Sequence, residues 1–187
     1  MISGEGRLIV ISAPSGAGKS TVINHLMKLR PELVLSVSAT TRPPRAGEED
    51  GSAYHFVTRE KFLDMIDKGE FLEYAEYVSE FYGTPIKPVK EYTGAGKDVL
   101  LEIEVQGAKQ IMELEPDAVT IFLTVPSMEE LERRLRVRGA DSEEKLTARM
   151  EQARLEFPEK SNYKYIVVND DINRAAKEIN EIISRKE

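Results

Sequence analysis

The chain has 187 residues, enough for one domain with a sizeable core, and a formal net charge of −7 with 41% hydrophobic and 32% charged residues. That acidic balance argues against a general nucleic-acid surface. Cysteine is absent, which excludes disulfides, thiolate metal sites and cysteine nucleophiles and fits a reducing cytoplasm.

The two histidines, His25 and His55, do not make a metal-site pattern. The N-terminus lacks a basic leader followed by a long apolar stretch, and no segment approaches the ~20 apolar residues that span a bilayer. A cytoplasmic protein with no membrane and no nucleic-acid partner is the expectation.

In chain order, Arg7–Ala13 (RLIVISA) predicts a buried strand and Gly18–Leu29 a helix with Val22, Ile23, Leu26 and Leu29 on one face. Leu33–Val37 is a second strand. Residues 39–53, with Pro43, Pro44, Gly47 and Gly51, read as loop. Tyr54–Val57 is a short strand, and Thr58 caps a helix running to about Lys68. Phe71–Tyr77 is a strand, and a short helix follows Pro88. Val99–Val105 is a strand, Ala108–Glu115 a helix and Ala118–Val125 a strand. Ser127 with Glu130, and Asp141 with Glu144, mark the starts of two helices ending near Arg138 and Leu155. Tyr165–Val168 and Ile172–Lys186 close the pattern as strand and helix. Strands alternating with helices predict an α/β fold, a parallel sheet covered on both faces. Residues from about 38 to 92 are less regular and read as an inserted lobe.

The strongest local signal is Ala13-Pro-Ser-Gly-Ala-Gly-Lys-Ser20. It fits the phosphate-loop pattern G-x-x-x-x-G-K-[ST], with Ala13 where glycine is usual, and it has the required strand before and helix after. Gly16 and Gly18 allow backbone amides to converge on phosphate oxygens, and the helix points its positive end at the same anion. Lys19 can reach the β- and γ-phosphates, and Ser20 can ligate Mg²⁺. A small-residue turn is the bland alternative, and the intact pattern in this context favours a nucleoside triphosphate site.

A second signal is Ser36-Val-Ser-Ala-Thr-Thr-Arg-Pro-Pro-Arg45, followed by Gly47-Glu48, Gly51, Tyr54 and Phe56. Arg42 and Arg45, three apart in a proline-stiffened loop, suit bidentate clamping of a second phosphate, with the Tyr54 hydroxyl as a third donor. On these residues alone, a solvated basic loop explains the segment equally well.

With these segments in place, the sequence resembles the guanylate kinase family over nearly its whole length. The resemblance is carried by the phosphate loop, the SVSATTRPPR…GE…G…Y…F segment, Phe71-Leu-Glu-Tyr74, Tyr82-Gly-Thr-Pro85, LLEIEVQGA ending at Ala108, and Val168-Asn-Asp170. It implies a P-loop NTPase three-layer fold in one domain over 1–187. A five-stranded parallel core would lie at about 1–37, 93–127 and 160–187, with a GMP-binding lobe at about 38–92 and a helical lid at about 128–159. It implies that Ala13, Pro14, Ser15, Gly16, Ala17, Gly18, Lys19, Ser20 and Thr21 bind ATP, with Arg134, Arg138 and Asn169. Arg42, Arg45, Tyr54 and Tyr82 would clamp the acceptor phosphate. Ser38, Glu73 and Thr84 would contact guanine, with Glu104 closing the far side where the family usually has the shorter aspartate. The chemistry agrees: guanine presents N1–H and an N2 amino group on one edge, and one carboxylate accepts both, whereas adenine offers no such pair. Without the resemblance, Glu73 reads as an exposed strand residue. Glu102, two residues before Glu104, is a candidate for holding water on Mg²⁺.

Glu132-Arg-Arg-Leu-Arg-Val-Arg-Gly139 carries four arginines in six residues, Arg134 and Arg138 sharing a helical face. In a generic acidic protein a solvated helix with a Glu130–Arg134 pair would be the favoured reading. Behind an intact phosphate loop the balance reverses, and the resemblance places Arg134, Arg138 and Arg149 in a lid over ATP. Arg133 and Arg136 read as surface charges. The acceptor phosphate is already anionic, so the reaction needs no general base. Positioning and charge neutralisation by Lys19, Mg²⁺, Arg42 and the lid arginines would carry catalysis. The competing readings are a kinase for AMP, UMP or CMP, a non-catalytic interaction module and a P-loop hydrolase. Glu73, Ser38 and Thr84 weigh against the first, the intact Gly18-Lys19-Ser20 and the arginine set against the second, and the second clamp against the third.

Overall fold

The structure, a computed structural model, describes residues 2, 4–52, 54–77, 79–137 and 143–185. Its elements are β1 (Leu8–Ser12), α1 (Lys19–Leu29), β2 (Val34–Leu35), β3 (Ala39–Thr40), β4 (His55–Phe56), α2 (Arg59–Asp67), β5 (Phe71–Tyr77), β6 (Glu80–Pro85) and α3 (Ile86–Gly94). They continue as β7 (Val99–Glu102), α4 (Val105–Leu114), β8 (Val119–Thr124), α5 (Met128–Val137), α6 (Glu143–Glu156), a 3₁₀ stretch Phe157–Asn162, β9 (Tyr165–Val168) and α7 (Ile172–Ser184).

Five strands form a parallel sheet in the order β2-β7-β1-β8-β9. β1 is buried along its whole length and has no polar alternation, as expected of a strand covered on both faces. The remaining strands form a four-stranded sheet in the order β4-β3-β6-β5. No described helix is long and apolar enough to cross a membrane.

Two compact units divide the chain. The first comprises Met1–Leu8, Glu32–Leu101 and Gln106–Ala118. Its four-stranded sheet is organised around Phe62 of α2, which stacks on Phe71 at 4.4 Å and on Phe81 at 5.3 Å between ring centroids. Thr58 caps α2 as the sequence predicts, its hydroxyl accepting from the Lys61 amide. The second unit comprises Ile9–Pro31, Glu102–Val105 and Val119–Glu187. There α7 buries Ala175, Ala176, Ile179, Ile182 and Ile183, at helical spacing, and packs on α1, which buries Val22, Ile23 and Leu26. The Arg30 Nε donates to Asn180 Oδ1 at 2.9 Å across this helix pair.

Several boundaries differ from the sequence expectation. Leu29, in the last turn of α1, is 48% exposed and does not belong to the buried face. The segment read as loop from 39 contains β3, because Ala39 and Thr40 pair with Gly83 and Tyr82 of β6. β6 itself is a strand that the sequence does not announce, and α3 starts at Ile86 before Pro88. The strand predicted to reach Val105 stops at Glu102, and α4 already begins at Val105. The Ile103 carbonyl accepts instead from the Ser12 hydroxyl at 2.9 Å and the Lys19 ammonium at 2.8 Å, so the chain leaves the ladder there.

Candidate active site

In the second unit, the turn between β1 and α1 is built on Gly16 at φ 94° and Gly18 at φ 90°, a region that L side chains rarely adopt. Space enforces the same choice. A Cβ on Gly16 would stand 2.6 Å from Leu135 Cδ2, and one on Gly18 would stand 2.6 Å from Asn169 Nδ2. Ala13 and Pro14 are buried, and the Ala17 amide donates back to the Pro14 carbonyl at 3.0 Å. Gly18 is the N-cap of α1 and brings no capping side chain, which leaves first-turn amides available to an anion.

Lys19 follows as the first helical residue, its ammonium held by the Ile103 carbonyl and by Glu104 Oε1 at 3.3 Å. One residue on, the Ser20 hydroxyl donates to Glu102 Oε1 at 2.6 Å. The two residues expected to serve a metal thus meet as adjacent hard oxygen donors. Among the described residues no cluster of three or more acidic or histidine side chains forms a ready-made metal cage. A Mg²⁺ carried by nucleotide phosphates needs only one or two protein oxygens, so the pair fits that ion.

Asn169 at the end of β9 is buried, and its side-chain amide donates to the Ala17 carbonyl at 2.7 Å. Arg134 also reaches the loop: Nη1 to the Ala17 carbonyl at 3.4 Å, Nη2 to the Asn169 carbonyl at 2.9 Å, and Nε to Glu130 at 2.7 Å. Arg149 of α6 donates through Nη2 to the Ser15 hydroxyl at 2.8 Å. Two of the three expected lid arginines therefore reach the phosphate loop, and Arg138 lies outside the described residues. The Glu130–Arg134 pair is present as well. Glu130 is shared with Arg133, and the two guanidiniums hold its carboxyl down at about 2. Beside the loop lies a cleft of about 370 Å³ lined by Gly16, Gly18, Thr21, Arg134, Asn169 and Ile172, among others.

Sequence reasoning missed Glu156, at the end of α6. It is 5% exposed, Gln152 donates to its Oε1 at 2.9 Å, and its Oε2 has no hydrogen-bond partner among the described residues. Burial raises its carboxyl to about 7; the Gln152 hydrogen bond opposes the rise, Glu104 adds to it and Lys19 opposes it. Burial likewise pushes the Tyr163 phenol upward. No local pattern marks Glu156, because its charged neighbours are more than fifty residues away in sequence.

In the first unit, Glu73 of β5 and Thr84 of β6 are cross-strand partners. Glu73 is 4% exposed, and its Oε1 accepts from the Thr84 hydroxyl at 2.6 Å. Glu73 is thus a buried carboxylate and not the exposed strand residue that its neighbours in sequence suggest. Gln110 of α4 fixes the adjacent backbone, accepting from the Tyr74 amide at 3.3 Å and donating to its carbonyl at 2.6 Å. Ser38 is half-buried just before β3, its carbonyl accepting from the His55 amide.

The Arg42 guanidinium sits 5.4 Å from the Tyr54 ring centroid and 5.7 Å from that of Phe56. Tyr54 meets Tyr82 edge-on at 6.0 Å. Glu48, a member of the motif without an expected role, binds Arg42 through both carboxylate oxygens at 2.8 and 2.9 Å and takes the Arg45 amide at 2.7 Å. The Arg42 guanidinium in turn holds the Glu48 carboxyl below its ordinary range. The Arg45 side chain is exposed.

The family model described as guanylate kinase matches residues 5–186. The chain is 49% identical to a guanylate kinase of Synechococcus sp. (strain JA-3-3Ab) over 95% of its own length and 82% of that protein's. It is 50% identical to one from Clostridioides difficile (strain 630), covering 96% and 88% of the two chains. Among solved structures, guanylate kinase from Anaplasma phagocytophilum superposes with a TM-score of 0.81 at 38% identity, covering 98% of this chain and 87% of that one.

Proposed function

The chain belongs to the guanylate kinase family, and on that premise we propose how its residues transfer the γ-phosphate of ATP to GMP, giving ADP and GDP. The observation that carries the substrate reading is the buried Glu73 carboxylate held at 2.6 Å by Thr84. A buried carboxylate needs donors, and the guanine edge brings two, N1–H and the N2 amino group. Adenine in the same place would leave it poorly paired, at a cost of about 1–3 kcal/mol. The residues assigned to the acceptor address the base edge and the phosphate, so dGMP is expected as an acceptor as well. Ser38 and Glu104 complete the guanine side; Arg42, Arg45, Tyr54 and Tyr82 hold the acceptor phosphate.

ATP is bound by residues 13–21. Their amides and the uncapped start of α1 receive the β- and γ-phosphates, and Lys19 turns from Glu104 to the same oxygens. Asn169 and Thr21 line the nucleoside side. Ser20 and Glu102 would hold Mg²⁺, Glu102 through water, and the ion would supply neutralisation of phosphate charge. The lid over residues 128–159 brings Arg134, Arg138 and Arg149 to the transferring phosphoryl group. The attacking GMP phosphate oxygen is anionic at neutral pH, so no side chain need remove a proton. The arginines and Lys19 offset repulsion between the two anions and fix them in line. Closure of the GMP lobe (38–92) and the lid excludes water, which would otherwise consume ATP. We place the reaction in the cytoplasm, where both nucleotides are free in solution.

The test supplies ATP and Mg²⁺ with GMP, dGMP, AMP, CMP and UMP in turn and measures ADP formation. Turnover with GMP and dGMP is expected. Strong turnover with AMP but not GMP would reject the base assignment, and ADP release without acceptor would reveal a hydrolase.

A further inference from the structure

We propose that Glu48 is a positioning residue for the acceptor-phosphate clamp, holding Arg42 by one edge so that its other edge faces the GMP phosphate. The inference rests on the substrate reading above and concerns a residue to which that reading gives no role.

A guanidinium is a flat plate with five N–H donors along two usable edges: an end edge formed by Nη1 and Nη2, and a side edge formed by Nε and Nη2. Glu48 takes the end edge completely, with Oε2 on Nη1 at 2.8 Å and Oε1 on Nη2 at 2.9 Å. The second Nη1 hydrogen goes to the Pro43 carbonyl at 2.8 Å. Glu48 and Pro43 leave Nε–H with the second Nη2–H, the side edge, a fork that matches two phosphate oxygens; the Tyr82 hydroxyl, itself expected at the acceptor phosphate, also hydrogen-bonds Arg42. The guanidinium carbon also lies 5.4 Å from the Tyr54 ring centroid and 5.7 Å from that of Phe56, and the two centroids are 6.0 Å apart, so both rings meet it from one side.

The same carboxylate governs the second arginine. Glu48 Oε2 accepts from the Arg45 amide at 2.7 Å, and the Glu48 amide donates to the Arg45 carbonyl at 3.0 Å. Arg45 is thereby set by its backbone, leaving its exposed side chain free to swing toward an incoming anion. One acidic residue thus orients both cationic ones. It lowers their net charge, yet it removes most of the conformational search that an exposed arginine loop would otherwise undergo on binding.

The opposite role is also physically definite. A carboxylate in a bidentate pair resembles a phosphate, and Glu48 would then be a competitor that GMP must displace. The two roles differ in sign. Under the positioning role, Glu48→Gln, which offers Arg42 only one acceptor, raises KM for GMP by about tenfold or more. It leaves KM for ATP within about twofold, and inhibition by guanosine, which lacks the phosphate, equally unchanged. Glu48→Asp, which keeps both acceptors, recovers part of the loss. An unchanged or lowered KM for GMP in Glu48→Gln overturns the proposal. So does a parallel weakening of GMP, guanosine and ATP, which marks general damage. Should Glu48→Gln fold poorly, Glu48→Asp is judged by the same ratio of GMP to guanosine. Wild-type protein that ignores GMP altogether would refute the substrate reading instead, so the two failures are told apart in one set of assays.

Discussion

Gly107, in the first turn of α4, lies so close to Glu73 that a Cβ on it would stand 1.9 Å from Glu73 Oε2. The helix backbone is therefore one wall around the carboxylate, and Thr84 is another. With Gln110 three residues later pinning the Tyr74 backbone, one face of α4 sets where Glu73 can point.

Gly107→Ala should accordingly push the Glu73 carboxylate off Thr84. Overpacking of this kind costs about 1–3 kcal/mol. We expect kcat/KM for GMP to fall by roughly tenfold to a hundredfold, with KM for ATP retained. Steady-state kinetics with each substrate varied checks this, and an unchanged GMP constant would show that the carboxylate has room to move.

Glu73→Gln replaces one acceptor by a donor that faces the donors of guanine. GMP use should drop by about 1–3 kcal/mol in kcat/KM, while ATP binding stays near its original strength. Equal losses for both nucleotides would remove Glu73 from the base site.

Ser20→Ala deletes one of the two oxygens proposed for the metal. The Mg²⁺ concentration needed for half-maximal rate should rise by about tenfold or more, and chelation with EDTA should abolish turnover in both proteins. A Mg²⁺ titration superimposable on that of wild type would argue that Ser20 does no more than hydrogen-bond to Glu102.

Glu156 makes stability depend on pH. Its carboxyl sits at about 7 in the fold against an ordinary 4.5. The folded chain therefore holds this proton more tightly than the unfolded one. Its stabilising contribution is complete below about 4.5 and lost as pH rises through 7. The difference corresponds to a loss on the order of 3 kcal/mol across that window. Denaturant unfolding from pH 5 to 8 should show this decline in wild type and a flatter course in Glu156→Gln. Equal slopes would place the proton elsewhere.

The sequence announces elements whose signal is local. β1 carries the β-branched run Ile9–Ile11, β5 and β9 are found at their predicted limits, and Thr58 caps α2. β6 escapes because Gly83 and Pro85 interrupt it and because it is a strand only by virtue of pairing with β3 and β5. The end of β7 escapes for a related reason. Nothing near Ile103 says that its carbonyl will be taken by Ser12 and Lys19, more than eighty residues earlier. In the site, the phosphate loop is legible because its chemistry is contiguous. The burial of Glu73 and the grip of Glu48 on Arg42 are not, because each depends on a partner brought up by the fold.

The register of β1 has a bearing on how the chain is made. Ile9 pairs with Val119, and Ser12 with Phe122. During synthesis the first strand waits for more than a hundred further residues before its β8 neighbour emerges from the ribosome. Contacts this distant in sequence close late and slow folding. The turn that leaves β1 toward α1 thus takes its final shape only once β8 has been made, so a chain truncated before β8 should lack nucleotide affinity even though every residue from 13 to 21 is already present.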